Sequence, residues 1–157
     1  MNEVWIDCVG FEGFYQISNL GNVRSVERMV MNRVGNGLRK SPSKLLKQGF
    51  SKSGYWIVSF CVDGIKSNQT VHRLVCRAFI ENPKNKPQVN HKNGVKTDNR
   101  VSNLEWVTVS ENGLHAYRVL GNTAWNKGMK LKAINDTQAQ AITTLTERII
   151  ALEGAQA

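Results

Sequence analysis

The sequence predicts an α+β protein with a small β-rich N-terminal module, a ββα unit and a C-terminal helix. Short segments of alternating apolar and polar residues, separated by glycine-containing turns, fill the first part of the chain. Three segments predicted to be helical follow, and a polar hairpin sequence precedes the second of them. With 157 residues and 41% apolar content, the chain can form one compact body with an appended arm.

The N-terminal module is predicted to span residues 1–55. The segments YQIS and NVRSVERMV, both within residues 3–30, are typical of short strands, and SNLGN between them is typical of a tight turn. Residues 32–49 are rich in Gly, Ser and Lys. We therefore expect them to form a mobile connection, either simply solvated or in contact with phosphate groups.

A hairpin and a helix open the second predicted domain, residues 56–120. Apolar and polar side chains alternate along YWIVSFCV, and the DG dipeptide at 63–64 favours a tight hairpin turn. The apolar residues of LVCRAF (74–79) then share one face of a helix, which the two following prolines should end.

Residues 88–120 are predicted to form the ββα unit itself. The stretch QVNHKNGVKTDNRVSNLEWVT contains a strand, a polar turn and a second strand or loop. Thr108 and Glu111 have the spacing of a capping box, so a helix should begin there and run to about Leu120. Asn112 and His115 are three residues apart and should share a face of this helix.

The last segment, residues 121–157, is predicted to be a basic linker followed by an amphipathic helix. Ile142, Leu145, Ile149 and Leu152 have the spacing of an a/d seam, although it extends over less than two heptads. Such a helix could dock on the body, pair with another chain or fray. We therefore expect a monomer or a weak dimer formed through this helix.

The charge distribution favours a polyanionic partner. The chain has 21 Lys and Arg against 12 Asp and Glu, a net charge of +9. From Arg24 to Arg100 there are 16 basic residues against four acidic ones, a concentration that suits the neutralisation of phosphates. Nucleic acid is therefore the leading class of partner, ahead of an acidic membrane face, and a basic protein without such a partner is the alternative.

The cysteines and the N-terminus bear on the compartment. The three cysteines are far apart and form no CxxC pair, which argues against a disulfide framework and against a zinc knuckle. We expect free, buried thiols in a reducing compartment. Because no leader-like head and no long apolar run are present, we also expect a soluble cytoplasmic protein that is not secreted and does not bind membranes.

The polar residues around His91 are suited to metal-assisted hydrolysis of a phosphodiester. A histidine can act as the base near neutral pH. Asn90 and Asn112 offer the oxygen ligands that Mg²⁺ accepts, and Asn103 could hydrogen-bond the histidine and so select its tautomer. Many unrelated solvated loops have the same spacing, so the residues alone leave both interpretations open.

Two motifs in order indicate a family. VNHKNGVKTDNRVSNLEWVTVSEN, preceded by VHRLVCRAF, resembles the HNH homing endonucleases of phages and mobile introns. WIDCVGFEGFYQISNLGNVRSV resembles the NUMOD-type DNA-binding module that precedes the HNH motif in many of them, and together the motifs cover about residues 3–120. The resemblance implies a ββα-metal (His-Me finger) nuclease that nicks or cleaves double-stranded DNA with Mg²⁺ or Mn²⁺ in a bacterial host cell, in its cytoplasm or associated with the nucleoid.

The resemblance also implies roles by position. His91 matches the general base, Asn103 the residue that orients it, and Asn112 the metal ligand on the helix. Asn90 stands at a ligand position that is often aspartate. Because a neutral amide binds Mg²⁺ less tightly than a carboxylate, we expect a weak metal site that fills only when DNA is bound.

Further candidates for contact with the substrate are two histidines and a set of basic residues. His115 and His72 are candidate contacts to phosphate or metal, and His72 could instead support the hairpin. The candidate phosphate contacts are Arg24, Arg28, Lys44, Lys47, Lys52, Lys92, Lys96 and Arg100.

Two other functions are consistent with the sequence. One is a catalytically weak or inactive DNA-binding protein of the same family, because both candidate metal ligands are neutral. The other is an RNA-binding or RNA-cleaving protein, because positive charge does not distinguish RNA from DNA. A structural basic protein would not explain why the two motifs occur in this order.

Overall fold

The computed structural model describes residues 2–32, 35 and 37–119, which form eleven short strands and two helices. The helices are α1 (Val71–Phe79) and α2 (Val109–Arg118), and a 3-10 helix covers Val101–Asn103. In chain order the strands are β1 (Trp5–Asp7), β2 (Tyr15–Ser18), β3 (Val23–Ser25), β4 (Arg28–Met31), β5 (Leu38–Ser41), β6 (Lys44–Leu45), β7 (Gly49–Phe50), β8 (Trp56–Val62), β9 (Ile65–Thr70), β10 (Gln88–His91) and β11 (Leu104–Val107). The α+β fold class is confirmed.

The chain divides into two units, residues 1–112 and 113–157. All the candidate site residues except His115 belong to the first unit. The basic linker and amphipathic helix predicted for residues 121–157 lie outside the described residues, and so does the end of the second helix predicted near Leu120. Among the described residues, no helix is long and apolar enough to cross a membrane.

The N-terminal strands form an antiparallel sheet in the order β1-β2-β3-β6. Strands β2 and β3 are joined by a tight turn over residues 18–22, in which Gly21 has a φ of +87° that side chains rarely adopt. The Ser18 hydroxyl oxygen accepts hydrogen bonds from the backbone N–H groups of Leu20 and Asn22 at 3.3 and 3.0 Å. The predicted strands and the SNLGN turn between them are confirmed.

The connection predicted to be mobile instead contains three strands. Strand β5 pairs with β4 in a separate two-stranded ribbon, β6 extends the N-terminal sheet, and β7 begins at Gly49. The ribbon leaves Met29, Met31 and Leu38 exposed. A strand exposed on both faces lacks the alternation of apolar and polar residues that identifies a half-buried strand, which is why the sequence pattern missed β5.

The second half of the first unit begins with the sheet β7-β8-β9. Asp63 and Gly64 have φ values of +49° and +79°, as a two-residue hairpin turn between β8 and β9 requires, so the predicted hairpin is confirmed. The alternation along β8 buries Val58 and Phe60 but leaves Cys61 exposed. The prediction that all three cysteines are buried is therefore wrong for this residue.

One hydrophobic core joins the N-terminal sheet to β8 and α1. The Tyr15 ring stacks on Phe60 with centroids 4.0 Å apart. Its hydroxyl donates to the Cys61 carbonyl at 3.0 Å and accepts from the Cys61 N–H at 2.9 Å. The core thus takes side chains from both sides of the boundary predicted between residues 55 and 56, and the domain boundaries stay a prediction. Its members are Cys8, Tyr15, Ile17, Val23, Val58, Phe60, Val71, Leu74, Val75, Cys76 and Leu104.

The ββα unit forms as predicted. Strands β10 and β11 pair antiparallel, with Asn90 opposite Glu105 and His91 opposite Leu104. Helix α2 follows β11 directly and begins with a capping box. The Glu111 carboxylate accepts from the Thr108 N–H at 2.7 Å, and the Thr108 hydroxyl accepts from the Glu111 N–H at 3.2 Å. This cap places Asn112 in the first turn of α2.

Candidate active site

The centre of the candidate site is the imidazole of His91, the last residue of β10. The residue is only 5% exposed, and its Nε2 lies 3.1 Å from the Oδ1 of Asn99. Because an amide oxygen can only accept, this contact requires the proton on Nε2 and leaves the lone pair on Nδ1. Burial lowers the pKa of His91, and the hydrogen bond to Asn99 opposes this effect. The ring is therefore suited to accept a proton at Nδ1 near neutral pH.

Asn103 does not make the hydrogen bond predicted for it. Its Oδ1 accepts from the Asn93 N–H at 3.0 Å, and its Nδ2 donates to the Asn93 Oδ1 at 3.0 Å and to the Asp98 carbonyl at 2.8 Å. These bonds join the end of the loop of residues 92–103 to its start at Asn93 and to Asp98 within it. The predicted contact with His91 is therefore wrong, and any role of Asn103 in a reaction stays a prediction.

Asn99 is the residue that the sequence analysis missed. It lies in the TDNR segment of the same loop and is 5% exposed. From the sequence alone, several asparagines of this loop are close enough along the chain to reach the His91 ring. Only the folded loop selects among them, so no feature of the sequence pattern would have identified Asn99.

The two asparagines predicted as metal ligands have a common arrangement. The Nδ2 of Asn90 donates to the Glu105 carboxylate at 2.8 Å, and the Nδ2 of Asn112 donates to the Gln88 Oε1 at 2.7 Å. Each amide nitrogen is thereby engaged, which leaves the carbonyl oxygen as the group able to hold a cation. Gln88 and Asn90 lie two residues apart on β10 and share a face of the strand.

The donors fit a hard divalent ion that keeps most of its waters. Among residues 2–32, 35 and 37–119 no three His, Cys, Asp or Glu side chains are grouped as a metal site of that kind would need. Two neutral oxygen donors instead suit Mg²⁺ or Mn²⁺ supplemented by phosphate oxygens. The Glu105 carboxylate beside Asn90 adds a negative charge that the sequence analysis did not assign to the site.

His72 lies next to His91 in the interior. Its ring centroid is 5.4 Å from that of His91 and 4.6 Å from that of Tyr55, and the residue is 7% exposed. Its Nδ1 is buried and has no hydrogen-bond partner among the described residues. Burial lowers the pKa of His72 to about 4, with a further contribution from His91. This burial favours the predicted role in supporting the hairpin over a contact with phosphate.

The buried His72 predicts a loss of stability in acid. In the unfolded chain its pKa is about 6.5, so the unfolded state gains a proton first as the pH falls. Stability attributable to this residue is complete above pH 6.5 and is lost between pH 6.5 and about 4. The expected loss of unfolding free energy at pH 4.5, relative to pH 7, is on the order of 2 to 3 kcal/mol.

Urea unfolding at pH 7 and pH 4.5 measures this effect when the parent is compared with His72→Gln, which cannot titrate. The variant is expected to lose less free energy of unfolding on acidification than the parent does. Equal losses in the two proteins would contradict the assignment of a buried neutral imidazole at this position.

The third histidine, His115, lies in α2 three residues after Asn112. It begins the last described turn of that helix, where its carbonyl accepts from the Val119 N–H at 2.9 Å. Contact of His115 with phosphate or metal stays a prediction.

Two arginines predicted to contact DNA are engaged inside the N-terminal module. The Arg24 guanidinium lies over the Trp5 ring at 4.3 Å and donates to the Gln16 Oε1 at 2.7 and 2.9 Å. Arg28 donates to the Phe14 carbonyl at 3.4 Å, and its guanidinium lies over the Phe14 ring at 5.2 Å. Both side chains therefore contribute to the packing of the module, and their contact with DNA stays a prediction.

The other basic candidates lie at the surface. Arg100 forms an ion pair with Asp98 at 2.7 Å. The Lys96 ammonium donates to the Ser53 carbonyl at 3.1 Å and lies 4.9 Å from the centroid of the Tyr55 ring. A set of exposed lysines extends over both halves of the first unit, and its members are Lys44, Lys47, Lys52, Lys92 and Lys96.

Two family profiles match the chain in succession. A profile described as the NUMOD4 motif matches residues 3–61. A profile described as HNH endonuclease matches residues 69–114, which include His91, Asn99 and both asparagines with engaged amide groups.

Individual relatives agree with these profiles. The chain is 40% identical over 120 residues to "Uncharacterized HNH endonuclease L247" of Acanthamoeba polyphaga mimivirus, covering 73% of this chain and 26% of that protein. It is 36% identical over 104 residues to "DNA endonuclease I-HmuI" of Bacillus phage SP01, covering 66% of this chain and 52% of that enzyme. The chain thus spans about a quarter of the viral relative and about half of the phage enzyme.

A solved structure has the same fold. It is described as "DNA binding and cleavage by the HNH homing endonuclease I-HmuI" and matches with a TM-score of 0.61 and 31% sequence identity. The match covers 85% of this chain and 68% of that chain.

Proposed function

This chain belongs to the HNH endonuclease family, and we propose that it is a metal-dependent endonuclease of the homing type that nicks or cleaves double-stranded DNA. The N-terminal module of residues 1–55 holds the duplex, and the ββα unit within residues 56–120 performs the hydrolysis. A relative named as a DNA endonuclease and a neighbour described by its DNA binding and cleavage support DNA as the substrate.

One observation carries the proposal. His91 is buried at the end of β10 with Nε2 engaged by Asn99, directly after Asn90, whose amide nitrogen is engaged by Glu105. A base that carries its lone pair on Nδ1 and an amide oxygen able to ligate a metal are thus contributed by consecutive residues. A purely structural hairpin has no need of either group in this state.

The proposed reaction is attack of water on a phosphodiester. His91 accepts a proton from the water at Nδ1 while its Nε2–H remains bonded to Asn99, so the ring keeps its orientation as it becomes charged. Asn90 and Asn112 would hold a divalent ion, which would supply positive charge to stabilise the transition state and the leaving 3′ oxygen. Glu105 and Gln88 keep the two amides turned with their oxygens available.

The exposed lysines are proposed to contact the DNA backbone. Their side chains are exposed in both sequence motifs, and phosphate contacts of this kind set affinity without reading sequence.

The proposed active centre of one chain cuts one strand in each encounter, so a monomer nicks. Cleavage of both strands needs either a second copy of the chain or a second encounter with the same one.

The test is conversion of supercoiled plasmid to open circle with Mg²⁺, with Mn²⁺ and with EDTA. Nicking in either metal that EDTA removes is the expected result. Binding of duplex DNA without nicking in any metal would instead favour the catalytically inactive DNA-binding protein. Competition between duplex DNA and RNA for the protein separates the RNA-directed alternative, because stronger binding to RNA would contradict the proposed substrate.

The partner of Asn112 gives a second prediction. Gln88→Leu removes the acceptor that holds the Asn112 amide, so its oxygen is no longer oriented. The Mg²⁺ concentration for half-maximal nicking is expected to rise roughly 10- to 100-fold, the usual cost of losing the outer partner of a ligand. Gln69→Leu on β9 is the matched control and should leave the Mg²⁺ dependence unchanged. An unchanged dependence in Gln88→Leu would remove Gln88 from the site.

A further inference from the structure

We propose that Asn99 is the positioning residue of His91 and that the Ser18–Asn22 turn of the N-terminal module holds Asn99 in place. This inference rests on the proposed function and adds a connection between the two motifs: the module that holds DNA also supports the base. Neither family profile by itself contains this connection, because the turn belongs to the first matched segment and Asn99 to the second.

The contact between Asn99 and the ring is buried. The Oδ1 of Asn99 is 3.1 Å from the Nε2 of His91, and both residues are 5% exposed. A buried hydrogen bond to one ring nitrogen selects the tautomer and the rotation of the imidazole together. Asn103, the other candidate for this task, has its side-chain amide bonded to Asn93 and to the Asp98 carbonyl.

The turn packs directly against Asn99. A Cβ added at Gly21 would lie 2.8 Å from the Cβ of Asn99, closer than packed atoms tolerate, and 3.3 Å from the Asn99 backbone carbonyl oxygen. Gly21 also has a φ of +87°. A glycine is therefore required here both for the backbone conformation and for the close approach to Asn99.

Hydrogen bonds hold the turn and the loop together beside this contact. The Val101 N–H donates to the Asn19 carbonyl at 2.9 Å, two residues after Asn99. The Gln48 amide donates to the Gly21 carbonyl at 2.8 Å, which fixes the turn within the N-terminal half. Asn19 is itself anchored, because its Oδ1 accepts from the Val4 N–H at 2.9 Å.

The loop of residues 92–103 is attached to the N-terminal half at a second point. The Lys96 ammonium donates to the Ser53 carbonyl at 3.1 Å, before Asn99 in the chain. Asn99 therefore lies between two attachments of its loop, at Lys96 and at Val101. Since small displacements of a catalytic group reduce the rate strongly, loosening this support should act on the chemical step rather than on binding.

The test compares Asn99→Ala, Asn99→Asp and Gly21→Ala with the parent, with Thr97→Ala in the same loop as the control. Nicking kinetics give kcat and KM, and duplex affinity is measured separately. The ¹⁵N chemical shifts of the His91 ring at pH 8, where the imidazole is neutral, report which nitrogen carries the proton in the protein without metal or DNA.

Asn99→Ala is expected to lower kcat roughly 10- to 100-fold with KM and duplex affinity unchanged. The ¹⁵N shifts should move from the Nε2–H form toward a mixture of tautomers. Asn99→Asp keeps an acceptor at the same place and should retain the Nε2–H form and most of kcat. Gly21→Ala should act in the same direction as Asn99→Ala, and the double variant should lose no more than the larger single loss, because both changes affect the same contact.

Each outcome decides the proposal. An unchanged kcat in Asn99→Ala, or ¹⁵N shifts that do not move, would overturn the positioning role. Fully additive losses in the double variant would show that Gly21 does not act through Asn99. If the parent itself fails to nick in any metal, the proposed function fails, but the ¹⁵N shifts still test the Asn99 contact because they need no reaction.

Discussion

His91→Ala is expected to slow plasmid nicking by roughly 100- to 10,000-fold, the usual contribution of a general base. The change removes the imidazole that directly follows Asn90 at the end of β10 and that Asn99 holds at Nε2. The affinity for duplex DNA should equal that of the parent, because His91 is only 5% exposed and the proposed phosphate contacts are made by the surface lysines. The rate is measured as open-circle formation under saturating protein, so that binding does not limit it.

The control for this experiment is Ser102→Ala, an exposed position in the connection between β10 and β11. It should nick at the parental rate. A His91→Ala variant that binds DNA and nicks like the control would exclude His91 as the base. Loss of both binding and nicking would indicate misfolding, which circular dichroism and urea unfolding of the same sample detect directly.

Substitutions of the two asparagines proposed as metal ligands are expected to shift the Mg²⁺ requirement in opposite directions. Asn112→Ala removes an oxygen ligand, and the Mg²⁺ concentration for half-maximal nicking should rise by more than about 100-fold, beyond the cost of losing an outer partner. Asn90→Asp replaces a neutral oxygen by a carboxylate and should lower that concentration roughly tenfold, since a full charge adds more than about 1 kcal/mol of attraction. Both ions, Mg²⁺ and Mn²⁺, are titrated in the nicking assay.

The Asn90→Asp substitution is also expected to lower the stability of the fold. Asn90 donates to the Glu105 carboxylate at 2.8 Å, and an aspartate there cannot donate. The two carboxylates would repel each other without metal, so Asn90→Asp should be less stable in EDTA and recover stability when Mg²⁺ is added. Asn68→Asp on β9 is the matched control for the added charge. An equal response of both variants to Mg²⁺ would show that position 90 does not ligate the ion.

Much of the architecture was determined by local sequence patterns. The Asp63-Gly64 turn, the SNLGN turn and the capping box of Thr108 and Glu111 each depend on residues a few positions apart. Their backbone conformations follow from the residues themselves, which is why the β-rich module, the hairpin and the ββα order could be predicted. The order of the two motifs likewise identified the family before any contact was known.

The tertiary structure alone decided which side chain contacts His91 and which groups hold the amides of Asn90 and Asn112. Asn99 and Asn103 have the same side chain in the same loop, but Asn99 lies beside His91 and packs against Gly21, whereas the Asn103 amide bonds to Asn93 and to the Asp98 carbonyl. The acceptors for the amides of Asn90 and Asn112 lie on other elements, 15 and 24 residues away along the chain. Such partners depend on the pairing register and on how the hairpin, the helix and the N-terminal turn pack, and no short-range pattern of residues contains that information.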